Sequence, residues 1–295
     1  MNKVVLTICL TVVSAAMAMA QQAPAMPFIT IDRNPASLAM GGTQATQSLY
    51  NPAATALTGS DVAFSFQSWA PAAAKSTNLN LMGGFKFGGF GLNVLTAYQA
   101  GTSYETMDSS GNVGAAFKPS DLLIGLGAGF AFSKTLSAGL NLKLAHSTLA
   151  KDVGYTSVAA DIFVMYKGKG LKATAGIASL GLPVKSGDNS YGLPASAKLG
   201  AAYELAFGTS AVTLAADFNL FFTGGIGAGL GAQYDWNKTV FVRAGYHLGT
   251  GAAPIPSFAS IGLGAKFFGV HIDLSYLTAS EALGNTLAIG LGYSF

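Results

Sequence analysis

Few residues in this chain have the type and spacing that chemistry needs. His146, His247 and His271 lie far apart, without metal-ligand spacing. The carboxylates are scattered singly, and no G-x-S-x-G or H-E-x-x-H element occurs. Cys9 is the one cysteine and lies at the N-terminal end, so nothing after it offers a disulfide, a thiol nucleophile or a Cys-based metal site. The run Gly125-Leu126-Gly127-Ala128-Gly129 has dinucleotide-loop spacing, but it alternates inside an apolar stretch and no helix follows. The sequence predicts no enzyme and no cofactor.

What remains is a set of polar residues lying out of phase with large apolar neighbours. Lys143, Asp161, Lys198, Asp217, Arg243, Lys266 and Asp273 are its leading members. Lys172, Glu204, Asn219, Gln233, Asp235, His247 and His271 share that phase. If the apolar neighbours face lipid, these residues face an interior. Basic and acidic members on adjacent strands are then expected to form ion pairs there, in a lumen polar network. Such pairs glue a wall or hold an inserted segment.

The elements that must position them are strands. The chain has 295 residues, 51% hydrophobic and 10% charged, whereas soluble domains carry about a quarter charged residues. Beyond residues 1–20, no stretch has the roughly twenty apolar residues of a membrane helix. The formal charge is +3, and no Lys/Arg run is built to grip nucleic acid.

Apolar and small or polar residues alternate instead, with period two. In the last stretch Leu287, Ile289, Leu291, Tyr293 and Phe295 alternate with Ala288, Gly290, Gly292 and Ser294. Similar runs recur from Asp61 onward and predict about fourteen strands, each near the ten or so residues of a tilted membrane strand. The predicted fold is an all-β transmembrane antiparallel barrel, preceded by an N-terminal segment that is not barrel-like.

Tight turns are expected at Gly88-Gly89, Ser133-Lys134, 167–170, Gly208-Thr209, 236–238 and Gly269, and long loops at 101–119, 182–193 and 249–256. Trp69, Tyr98, Tyr166, Tyr234, Trp236, Tyr246 and Tyr276 fit an interfacial girdle. Tyr293 and Phe295 form the expected terminal assembly signal.

Three segments follow. Residues 1–20 read as a signal peptide, with Lys3, a short apolar core and Ala18-Met19-Ala20. Residues 21–60 contain Pro24, Pro27, Pro35 and Pro52, which a membrane strand tolerates poorly, so this segment either hangs in the periplasm or folds into the lumen as a plug. Within it, Phe28 to Ile31 reads as extended and Ser37 to Met40 as a helical turn ended by Gly41-Gly42. Asn51-Pro52 caps another turn. Residues 61–295 form the barrel.

Ala39-Met40-Gly41-Gly42, followed by Asn51-Pro52-Ala53-Ala54, resembles the opening of the FadL-like outer-membrane superfamily. Within it the chain looks most like the PorV/PorQ family of Bacteroidetes. The resemblance implies a fourteen-stranded barrel with Ala39, Met40, Gly41, Gly42, Asn51, Pro52 and Ala53 in a plug. It implies a non-enzymatic part in type IX protein secretion or surface attachment, with secretion components or cargo proteins as partners. The setting would be outer-membrane lipid of a Gram-negative, Bacteroidetes-like cell. The alternative is a FadL-like passive transporter of hydrophobic small molecules. No fatty-acid site motif carries over.

Overall fold

The computed structural model describes residues 23–107 and 110–295, so the expected signal peptide lies outside the described residues. Eighteen strands occur among the described residues. They are β1 (Asp61–Trp69), β2 (Ser76–Phe87), β3 (Phe90–Ala100), β4 (Tyr104–Met107), β5 (Val113–Phe117) and β6 (Ser120–Ala131). Then come β7 (Leu136–Ala150), β8 (Val153–Gly168), β9 (Leu171–Gly181), β10 (Val184–Ser186), β11 (Asn189–Tyr191) and β12 (Ser196–Phe207). The last six are β13 (Ser210–Phe221), β14 (Ile226–Trp236), β15 (Val240–Thr250), β16 (Phe258–Phe267), β17 (Val270–Thr278) and β18 (Leu287–Ser294).

All but β4, β5, β10 and β11 close into one antiparallel barrel, a meander sealed by β1 against β18. The seal runs from Asp61 opposite Ser294 to Ser68 opposite Leu287. Closure leaves no edge strand within the barrel. Alternation sets the faces. Phe64, Leu81 and Leu291 stand side by side on β1, β2 and β18, each about half exposed. Such residues make a continuous apolar outer surface, as lipid requires.

The turns at β2–β3, β6–β7, β8–β9, β12–β13, β14–β15 and β16–β17 are short and share one end with Asp61 and Ser294. The opposite end carries the longer links. The shortest link there is Lys151-Asp152, between the longest strands β7 and β8, and the β13–β14 link at 222–225 is no longer than the β6–β7 turn.

The structure corrects several expectations. Segments 101–119 and 182–193 are not plain loops: β4–β5 and β10–β11 form hairpins within them. Gly187, at φ 59°, makes the tight β10–β11 turn possible. Residues Pro27–Thr30 form a 3₁₀ turn rather than an extended piece. Trp69 is not in an outer girdle. It falls in phase with Ser65 and Gln67, so it points inward and is buried with Phe28 and Leu38.

Candidate functional site

The N-terminal segment runs inside the barrel. It starts near the long-loop end, where the Ala25 N–H donates to the Gly192 carbonyl (2.8 Å), and leaves at the short-turn end ahead of Asp61. Two Asn-Pro pairs shape it. Asn34 and Asn51 accept from the N–H of Ala36 and Ala53, and each following proline sits in the first helical turn. Asn51-Pro52 matches the expected cap. The first helix spans Pro35–Leu38, two residues earlier than the expected one. It packs on β16 to β18, while Pro52–Leu57 packs on β2, β3 and β6 to β8.

The residues of the two motifs make the closest contacts with the wall. Gly41 donates its N–H to Ser260 Oγ (3.1 Å), which in turn donates to the Ala39 carbonyl (3.0 Å). Gly41 has φ 71°, and a Cβ there would stand 2.5 Å from the Tyr246 carbonyl oxygen. Gly42 follows at φ 76°. The Met40 backbone lies against β14 and β15 so tightly that a Cβ on Gly231 or Gly245 would fall 2.7 Å from Met40 Cα. The Asn51 amide donates to Ala45 O (2.8 Å) and Thr174 Oγ1 (3.1 Å). Pro52 and Ala53 press on Gly91 and Gly139 of the opposite wall, and Ala53 O accepts from Ser137 (2.7 Å).

The charged residues largely pair. Lys143 Nζ lies 2.7 Å from Asp161, and Arg243 Nη1 lies 2.6 Å from Asp273. Lys198 lies 3.9 Å from Asp217, a looser pair, because Asp217 Oδ2 also accepts the N–H groups of Gln44 and Ala45. Asp217 thus holds the inserted segment. Lys266 is half-buried at the short-turn end, opposite His271 in register. Asp161 sits where the β8–β9 register shifts, and it takes the N–H of Ser179 (2.7 Å). Tyr293 and Phe295 stack at 5.7 Å on the outer surface, and the Phe295 N–H donates to Ser60 O.

Asp32, Arg33 and Tyr50 were not among the expected site residues, yet they form the centre of the inserted segment. Tyr50 donates its hydroxyl to Asp32 (2.6 Å), and Ser37 donates to the same carboxylate (2.5 Å). The Arg33 guanidinium donates to the carbonyls of Ile31 and Phe28, both at 2.6 Å. Burial pushes the Asp32 carboxyl above its ordinary value, against the hydrogen bonds it accepts. One signal was available: Asp32 and Arg33 are the only charges in residues 21–60.

Three cavities lie in file around this segment. An apolar pocket of about 480 Å³ opens at the long-loop end between Met26, Phe28, Leu149, Val184, Ile255 and Leu283. A central cavity of about 120 Å³ holds Arg33, Tyr50, Lys143, Asp161, Phe163 and Phe258. A vestibule of about 760 Å³ fills the short-turn end. Trp69 and Ile255 border both the first and second, and Leu49 borders both the second and third.

No protein-family model matches the chain, and no curated relative matches it. Solved structures do. The Ralstonia pickettii toluene transporter TbuX superposes with a TM-score of 0.62 at 12% identity, over 91% of this chain and 100% of that one. The P. putida toluene transporter TodX gives 0.60 at 13% identity, over 88% and 97%. A Pseudomonas aeruginosa FadL homologue gives 0.53 at 11% identity, over 90% and 96%. The chain therefore has the fold of FadL-like outer-membrane barrels.

Proposed function

We propose that the protein is a passive outer-membrane channel for small hydrophobic molecules, with residues 21–60 as its plug and residues 1–20 as a signal peptide. The observation that carries this is the file of three cavities, partitioned by Trp69 with Ile255 and by Leu49. The first cavity is apolar and open to the outside, which suits capture of a molecule that partitions out of water. The central one compares with the about 150 Å³ that encloses benzene in an engineered protein cavity. That size and the solved toluene transporters point to single-ring hydrocarbons. Short turns on the periplasmic side set the orientation.

The test is uptake of radiolabelled toluene by Gram-negative cells carrying the barrel. Val184→Trp, which puts an indole into the outer pocket and narrows it, should slow it toward the rate of cells without the barrel. Equal uptake by the two proteins would sink the reading. A PorV/PorQ-type part in type IX secretion rests on the motif resemblance. Unchanged cargo secretion after gene deletion would remove it. Tyr293 and Phe295 are proposed as the end that assembly machinery reads.

A further inference from the structure

The vestibule at the short-turn end carries a charge imbalance that a channel for apolar molecules does not need. Lys167 of β8 and Lys172 of β9 stand directly opposite each other in register, joined by the turn at Lys169-Gly170. Side chains so placed have Cβ atoms about 4.5–5.5 Å apart, and like charges there destabilise the pair of strands. Both lysines line the vestibule and are half-buried, where salt screens less than at an open surface.

Lys134, Lys169 and Lys266 line the same chamber. Its carboxylates are mostly committed. Asp61 and Asp273 both contact His271, and Asp273 also binds Arg243. Among the described lining residues that leaves Glu204 for five lysines. The Lys167 ammonium donates to a neutral group, the Leu57 carbonyl, at 3.0 Å.

We propose that the vestibule is a binding site for a small oxyanion carrying carboxylate or phosphate groups. Lysine ammoniums bind such groups as point charges. A chamber of about 760 Å³ has the size of a small-molecule site. It opens at the barrel mouth, where Lys134 and Lys169 are exposed, but Lys167 and Lys172 are half-buried in the wall of the chamber. An anion between Lys167 and Lys172 relieves their repulsion, and its binding stabilises the folded barrel by mass action. The site stands whether or not the barrel carries hydrocarbons.

Citrate and pyrophosphate are the probes, titrated calorimetrically into the full barrel in non-ionic detergent at low salt. Thermal unfolding is followed in parallel. Wild-type protein should bind at least one of them saturably and melt higher with it. K167Q/K172Q should bind about tenfold or more weakly, as loss of a charged hydrogen bond implies. Without anion it should melt no lower than wild type. K75Q/K185Q, at the other end, should bind as wild type does. Citrate alone assigns carboxylates, pyrophosphate alone assigns phosphates, and both assign the wider class. Non-saturable wild-type binding overturns the proposal, as does undiminished binding by K167Q/K172Q. If that variant does not fold, K134Q/K266Q replaces it, and unchanged affinity there overturns the proposal equally.

Discussion

His271 and Asp61 meet across a strand that belongs to neither of them. Nε2 lies 3.0 Å from the Asp61 carboxylate, over Gly292 of the intervening β18. The other ring nitrogen lies 2.8 Å from Asp273. Asp273 in turn reaches Arg243 over Gly264 of β16, where a Cβ would stand 2.5 Å from the Asp273 oxygen. The chain of charges therefore runs from β15 to β1 and bridges the seam where the barrel closes. Two glycines leave room for it.

A side chain at Gly292 would collide with the His271 ring. Gly292→Ala should therefore part His271 from Asp61 and lower stability by about 1–3 kcal/mol, the cost of leaving a buried polar group unpaired. The loss of heat-resistant gel mobility would move to lower temperature. An unchanged midpoint would show that the seam does not depend on this contact.

Ile289 points outward and is about half exposed, while Gly290 faces inward, where a Cβ would stand 3.1 Å from the Pro35 ring. Ile289→Arg should cost about 2–4 kcal/mol at mid-membrane. Gly290→Ala asks only that Pro35 give by a few tenths of an ångström. Refolding yield into lipid vesicles separates them, and equal yields would reverse the assignment of faces.

The inserted segment is held chiefly through backbone groups. Asp217→Ala leaves the N–H groups of Gln44 and Ala45 without their acceptor, at about 1–3 kcal/mol each. Gly245→Ala drives a methyl into Met40. Both variants should expose the segment to limited proteolysis and raise ion conductance in planar bilayers. Wild-type behaviour in both assays would mean that the segment is anchored elsewhere.

Trp69 borders two of the cavities, and Trp236 is the other tryptophan of the chain. In Trp236→Phe, Trp69 is the remaining tryptophan reporter. Titration with toluene should shift its emission saturably. A linear response, equal to that of free indole in the same detergent, would place the ligand outside these cavities.

Much of the fold was legible. Period-two alternation depends only on the pleat, so runs such as Leu287 to Phe295 reveal both strand and face. The same phase places Trp69 inside, against its aromatic character. Asn51-Pro52 announced its turn because capping is local. The site was legible in part. Lys143, Asp161, Arg243 and Asp273 were expected inside, but which of them meet depends on register. Arg243 passes over β16 to reach Asp273, and no neighbour rule along the sequence shows that. The Asp32, Arg33 and Tyr50 cluster depends on how a proline-rich segment folds within a wall built after it.

By itself the sequence determined that strands form, which face meets lipid, and that the polar residues lie inward, because these follow from a two-residue period and the exclusion of charge from hydrocarbon. It showed only part of the cationic cluster: Lys167, Lys169 and Lys172 lie within six residues, but Lys134 and Lys266 are far from them in the chain. Tertiary structure brought them to one chamber, since short turns return strand after strand to the same end. It also decided the three cavities and their partitions, because Trp69, Ile255 and Leu49 become neighbours of the same path only when the ring closes around the inserted segment.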